Sequence, residues 1–242
     1  MRRLRLGMVG GGQGAFIGEV HRIAARQDNR FELLAGALSS DASRAAASAV
    51  ELGIAADRSY SSFEEMALAE ATRKDGIEVV AIVTPNHLHF PVAAAMLRAG
   101  IHVIFDKPLT TSIQQAEELA ELVHASGLLF AVTYNYSAYP MVRQARQLIA
   151  DGKLGTIRVV QVEYPQDWLA SNLEEQDQKQ AVWRTDPSQA GPGGCVGDIG
   201  THAFHLAEFV TGLKTTELLA DLNSFVGQRK LDDNANILLR FD

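Results

Sequence analysis

Up to Pro140 the chain alternates short apolar runs with longer stretches in which apolar residues return every three or four positions. The short runs, Leu4–Val9, Phe31–Leu38, Val79–Thr84, His102–Phe105 and Leu128–Thr133, predict strands. Behind each, a helical period covers Gly18–Arg26, Ala42–Leu52, Phe63–Arg73, Phe90–Ala99 and Ile113–Ala125. Strand followed by helix, repeated in this way, predicts a parallel sheet covered on both faces. After Pro140 the texture changes. Met141–Ala150 reads as one more helix and Thr156–Tyr164 as a β-rich run with no crossover helix close behind, so a second domain, 138–242, is expected to follow a first of 1–137. Gln166–Gly194 is polar, carries both tryptophans and reads as a long irregular segment of the kind that shapes a site. The final residues, Ile237–Asp242, lie inside a strand pattern, so the second domain is expected to be incomplete at its C-terminus.

Composition narrows the function classes. The chain has 242 residues, 47% of them hydrophobic and only 7% aromatic, enough for a core that needs no covalent staples. A net charge of −7 argues against nucleic acid as a partner, since phosphate neutralisation favours a basic face. Cys195 is the single cysteine, which excludes an internal disulfide and fits a reducing compartment. Arg2-Arg3 is not followed by an export-signal core, because the apolar stretch behind it breaks at Gly7 and dissolves into Gly10-Gly11-Gly12. No window approaches the ~18 apolar residues of a membrane span. The expectation is a cytoplasmic protein with neither membrane nor nucleic acid as partner.

Candidate chemistry begins directly after the first strand. Gly10, Gly12 and Ala15 stand in a G-x-G-x-x-A register that permits a tight turn and close approach of a helix N-terminus, with Ile17 in its first turn, to a pyrophosphate. The loop is longer than the usual fingerprint, so either Ala15 or Gly18 takes the third position. At the end of the second strand, Ser39 and Arg44 suit a ribose 2′-phosphate, while Asp41 either accepts from a free 2′-hydroxyl or caps the next helix. The expected cofactor is therefore NAD(P), with a slight lean to NADP. Thr84-Pro85-Asn86, with His89, lies where the strand Val79–Thr84 meets its helix. These residues either contact a cofactor or serve the fold alone, Asn86 as a cap of that helix and His89 as a partly buried surface histidine.

Two further clusters carry reactive side chains. The run Ile101–Phe105 stops at Asp106-Lys107-Pro108, placing a lysine at a strand mouth, where it is either half of a surface ion pair or a group with a chemical task. In Gly197-Asp198-Ile199-Gly200-Thr201-His202, a carboxylate and an imidazole four residues apart share a helix face and suit acid-base work. The competing reading is a capping aspartate beside an unrelated core histidine. A metal at Asp198, His202 and His205 has no cysteine cluster or further histidine motif behind it, and none is expected.

Together these segments resemble the glucose-fructose oxidoreductase, inositol dehydrogenase and MocA family of NAD(P)-dependent enzymes. Asp106-Lys107-Pro108 stands where that family has Glu-Lys-Pro, and Asp198-x-x-x-His202 completes the set. The resemblance implies an α/β fold, with an N-terminal Rossmann doubly wound parallel sheet followed by an α+β domain with an open, largely antiparallel sheet that commonly forms an oligomer interface. It implies hydride transfer at a hydroxyl or ketone carbon of a sugar, cyclitol or related polyol. It also implies Lys107, Asp198 and His202 as the catalytic group, Asp106 and Lys107 near the cofactor, and Trp183 and Arg184 at the substrate. A dinucleotide sensor without catalysis, or a metal-dependent hydrolase, are the alternatives from other classes.

Overall fold

The structure is a computed structural model and describes residues 2–242. Its contacts divide into two compact units, Met1–Thr133 and Tyr134–Asp242.

The first unit alternates β1 (Leu4–Gly10), α1 (Phe16–Gln27), β2 (Phe31–Ala37), α2 (Ala42–Glu51), α3 (Phe63–Thr72), β3 (Val79–Val83), α4 (His89–Arg98), β4 (His102–Phe105), α5 (Ile113–Ser126) and β5 (Phe130–Val132). All five strands are parallel, in the order β2-β1-β3-β4-β5. The pleat sends alternate residues of one strand into opposite cores: Val80 and Ile82 of β3 join Val9, Met96 and Phe105, while Val79, Ala81 and Val83 join Leu6, Met8 and Leu38. Every residue of β3 is buried, as a strand with helices on both faces must be. Strand order reverses across the β1–β3 pair, and the carboxyl ends of two such strands are where open α/β sheets take their ligands.

The second unit contains α6 (Pro140–Ala150), two short helices, α7 (Lys179–Arg184) and α8 (Pro187–Ala190), then α9 (Thr201–Thr211) and the antiparallel pair β6 (Thr215–Asn223) and β7 (Asn234–Phe241). Helix α6 lies against α9, with the Arg146 guanidinium 4.4 Å from the Phe209 ring centroid. Thr156–Tyr164, expected as a strand, is not one: among the described residues it has no ladder partner, and Val159 and Val162 stand exposed. Its composition favours extended backbone, but a strand also needs a hydrogen-bonded neighbour.

Candidate functional site

The glycine loop is shaped by close contact. Gly10 pairs with Val83 and has φ +79°; a Cβ there would lie 2.8 Å from the Val83 carbonyl oxygen, so only glycine carries the chain across the end of β3. A Cβ on Gly18 would come within 2.4 Å of Gly11 Cα, which seats α1 directly on the loop. Gly18 therefore takes the close-packing role of the third glycine, and Ala15 instead precedes α1 as its N-cap residue, with Ile17 in the first turn. Arg22, which the motif did not reveal, donates from Nη1 to the Gly11 carbonyl at 2.7 Å. Burial holds its guanidinium below the ordinary value.

Beyond β2, Asp41 caps α2, its Oδ1 accepting from Arg44 N at 2.7 Å. The Ser39 hydroxyl accepts from Asp41 N at 3.2 Å, and Arg44 is exposed. Directly after β3, Thr84 Oγ1 is buried with no hydrogen-bond partner among the described residues. Asn86 is buried in a single 3₁₀ turn, Asn86–Leu88, and does not cap α4, whose N-cap position is Leu88. An orphaned hydroxyl on the residue beside a glycine loop at the sheet's switch point fits a dinucleotide, because a bound polar ligand supplies the partner that a buried hydroxyl needs.

At the end of β4, the Asp106 carboxylate builds the turn. Its Oδ1 accepts from Thr133 Oγ1 at 2.9 Å and from Lys107 N at 3.0 Å. The Lys107 side chain is half-buried. His21 of α1 feels the Asp106 charge, which opposes the burial that holds its imidazole below the ordinary value. His89, expected at the cofactor, is 1% exposed, and both ring nitrogens face backbone carbonyls of its own loops. Its geometry is that of a buried strut.

In the second unit, Asp198 is not a cap. It sits within a π-helical turn, Val196–Gly200, that runs into α9, a local geometry that recurs at functional sites. The capping is done by Asp232, absent from the sequence reading, which accepts from Gly194 N at 2.7 Å, Val196 N at 2.8 Å and the Cys195 thiol at 3.0 Å. Burial, with the Asp232 bond, pushes that thiol up to about 12, so it is not a nucleophile near neutral pH.

Arg184 Nε lies 3.4 Å from Asp198 Oδ2. Its guanidinium is held by Gln180 Oε1 at 2.6 Å and stacks on Trp183, 4.2 Å from that ring's centroid, with Trp168 at 5.7 Å. His202 is buried, with Tyr136 edge-on at 4.9 Å and Tyr134 at 5.8 Å. His205 stacks on Tyr134 at 4.1 Å, and burial lowers its imidazole below the usual value. Tyr136 pairs its hydroxyl with that of Tyr164, and this bond, reinforced by burial, pushes Tyr136 up to about 12. The structure thus brings Arg184, Trp183, Asp198 and His202 onto the second unit, with Tyr134, Tyr136 and Trp168 added, while Lys107 stands on the first. Trp168 is covered only by the reading of its whole segment as site-shaping, and Tyr134 and Tyr136 carry no motif that the sequence could single out.

Comparison with known proteins agrees with this arrangement. Residues 4–134 match the model of an oxidoreductase family with an NAD-binding Rossmann fold, and residues 142–242 match that of the GFO/IDH/MocA C-terminal domain. The uncharacterized oxidoreductase YfiI of Bacillus subtilis (strain 168) is 41% identical over 99% of this chain and 62% of its own length. Levoglucosan dehydrogenase of Pseudarthrobacter phenanthrenivorans is 32% identical over 96% of this chain and 57% of its own. A crystal structure of an inositol dehydrogenase homolog from Azotobacter vinelandii, complexed with NADH and myo-inositol, superposes with a TM-score of 0.92 at 37% identity, covering 100% of this chain and 62% of that one. The chain thus spans about three fifths of the length of these relatives. With the two family models matched in order across residues 4–134 and 142–242, the chain belongs to the GFO/IDH/MocA oxidoreductase family.

Proposed function

We propose that the chain carries the dinucleotide site and the reactive side chains of an NAD(P)-dependent dehydrogenase acting on a CH–OH carbon of a sugar, cyclitol or related polyol. The buried, partnerless Thr84 hydroxyl beside the Gly10 cradle carries this reading. The relatives' levoglucosan and myo-inositol supply the substrate class. When bound, the nicotinamide provides the hydride chemistry. The first turn of α1, including Ile17, holds the pyrophosphate, and Asp106 holds the loop that presents Lys107. Lys107 hydrogen-bonds the substrate oxygen and stabilises alkoxide character on it. His202 serves as the proton-transfer group, and Asp198, itself steadied by Arg184, orients the imidazole. Trp183 offers an aromatic face to the polyol ring. A thermal-shift screen tests the reading. NAD(P) stabilises the protein, and a sugar or cyclitol adds to that only with the dinucleotide present; no shift with either dinucleotide overturns it.

The cofactor preference leans to NADP. Asp41 is occupied as a cap, which supports Ser39 and the planar fork of Arg44 as the groups for a 2′-phosphate, and arginine is suited to it as a two-pronged donor. Arg44→Ala is expected to weaken NADP by about 1.5–3 kcal/mol, a charge-assisted hydrogen bond, while leaving NAD nearly unchanged. Calorimetric titration of both dinucleotides decides it, and an equal loss for both, or no loss for either, overturns the NADP preference.

The chain also forms a homo-oligomer through β6 and β7, whose Leu218, Leu219 and Leu238 are exposed across both faces of a two-stranded sheet. Sedimentation of wild type and Leu219→Lys reads this directly: the variant shifts toward monomer, and a monomeric wild type refutes it. Among the described residues no helix is long and apolar enough to cross a membrane. The single cysteine points to the cytoplasm as the protein's compartment.

A further inference from the structure

His89 opens α4 and makes contacts that cofactor binding does not explain. Its Nδ1 lies 2.7 Å from the Pro108 carbonyl oxygen and its Nε2 lies 3.1 Å from the Thr84 carbonyl oxygen. Its ring meets Phe105, the last residue of β4, edge-on at 4.8 Å. One imidazole thus spans the two loops that leave neighbouring parallel strands, β3 and β4, one residue after Val83 on one side and next to Lys107 on the other. Carbonyl oxygens only accept, and a neutral imidazole has one N–H, so the shorter contact assigns that proton to Nδ1 and the Pro108 carbonyl. Burial of the ring, which holds the imidazole below its ordinary value, agrees with the neutral form. A half-buried carbonyl deprived of its donor costs free energy, which the loop escapes by shifting toward water. Such a shift moves Lys107, because Pro108 is its immediate neighbour.

We propose that His89 is a positioning residue for Lys107, fixing the Asp106–Pro108 turn to the first turn of α4 through the Pro108 carbonyl. This rests on the reading of Lys107 as the group that contacts the reacting oxygen. Asn places its amide N–H near the position of Nδ1, whereas Phe keeps the ring but donates nothing, so His89→Asn and His89→Phe separate the bond from the packing.

His89→Phe is expected to lower kcat at least tenfold with the dinucleotide KM within about threefold, and His89→Asn to restore most of it. Melting temperatures of both variants are read alongside. Wild-type kcat in His89→Phe, equal loss in both variants, or loss that follows the fall in melting temperature overturns the proposal. A second measurement needs no turnover: the acylation rate of the Lys107 amine by an activated ester, read by mass spectrometry with exposed Lys74 as internal reference. His89→Phe is expected to change the Lys107 rate at least threefold and leave Lys74 unaltered, and an unchanged rate overturns the inference. Absence of activity in the wild type refutes the dehydrogenase reading alone, since the labelling then decides the role of His89 by itself.

Discussion

Replacing Lys107 with methionine is expected to cut turnover by about two orders of magnitude or more while dinucleotide affinity stays within about threefold. Methionine matches the length of the aliphatic stem and removes only the ammonium, so packing at the strand mouth is largely kept. The neighbouring carboxylate keeps two other donors when the ammonium is removed, because Asp106 accepts from Thr133 Oγ1 and the Lys107 backbone N–H. The turn should therefore survive the substitution. Steady-state turnover on a responsive polyol, with dinucleotide titration by fluorescence, provides the check. Unchanged turnover would return Lys107 to the role of a surface cation. Parallel loss of turnover and cofactor affinity would instead make it a cofactor ligand.

The largest effect on stability is expected at Glu70. This α3 carboxylate has 0% side-chain exposure and accepts from Arg58 Nε at 3.0 Å, Arg58 Nη2, Tyr60 Oη at 2.7 Å and Ile77 N at 2.9 Å. It thereby fastens the turn at Ala56–Arg58 and the approach to β3 onto α3. Glu70→Ala leaves a buried guanidinium with one flank unpaired and strips two other donors of their acceptor, a loss of about 3–5 kcal/mol. The double variant Arg58→Met with Glu70→Leu should regain the part due to the unpaired guanidinium, since two apolar side chains carry no uncompensated charge, while Tyr60 Oη and Ile77 N stay without their acceptor. Urea unfolding of the three proteins measures it. A loss below about 1 kcal/mol in Glu70→Ala would mean that water reaches the pair.

How the site is assembled follows from where information sits in the chain. The glycine loop, Asp106-Lys107-Pro108 and Asp198-x-x-x-His202 were legible because each is a short run whose meaning depends on a strand or helix directly beside it. The partners that complete them are distant in sequence. His89 reaches Pro108 across 19 positions, and Cys195 reaches Asp232 across 37. No local spacing encodes such a bond, because both ends must first be brought together by intervening elements. The same holds for Arg184, whose stacking on Trp168 and pairing with Asp198 join three separate stretches.

Five parallel strands and the helices between them were determined by the sequence alone, because the period of apolar residues reports which face of an element is buried, and burial is the dominant driving force. Boundaries moved only slightly: α1 begins at Phe16 rather than Gly18. The tertiary structure decided what the pattern could not. It gave the third-glycine role to Gly18 through contact with Gly11, settled Asp41 as a cap, and wound Asp198 into a π turn instead of an ordinary helix start. It also left Thr156–Tyr164 without a strand partner. In each case the outcome depends on which atoms meet across the fold, and hydrophobic periodicity carries no record of that meeting.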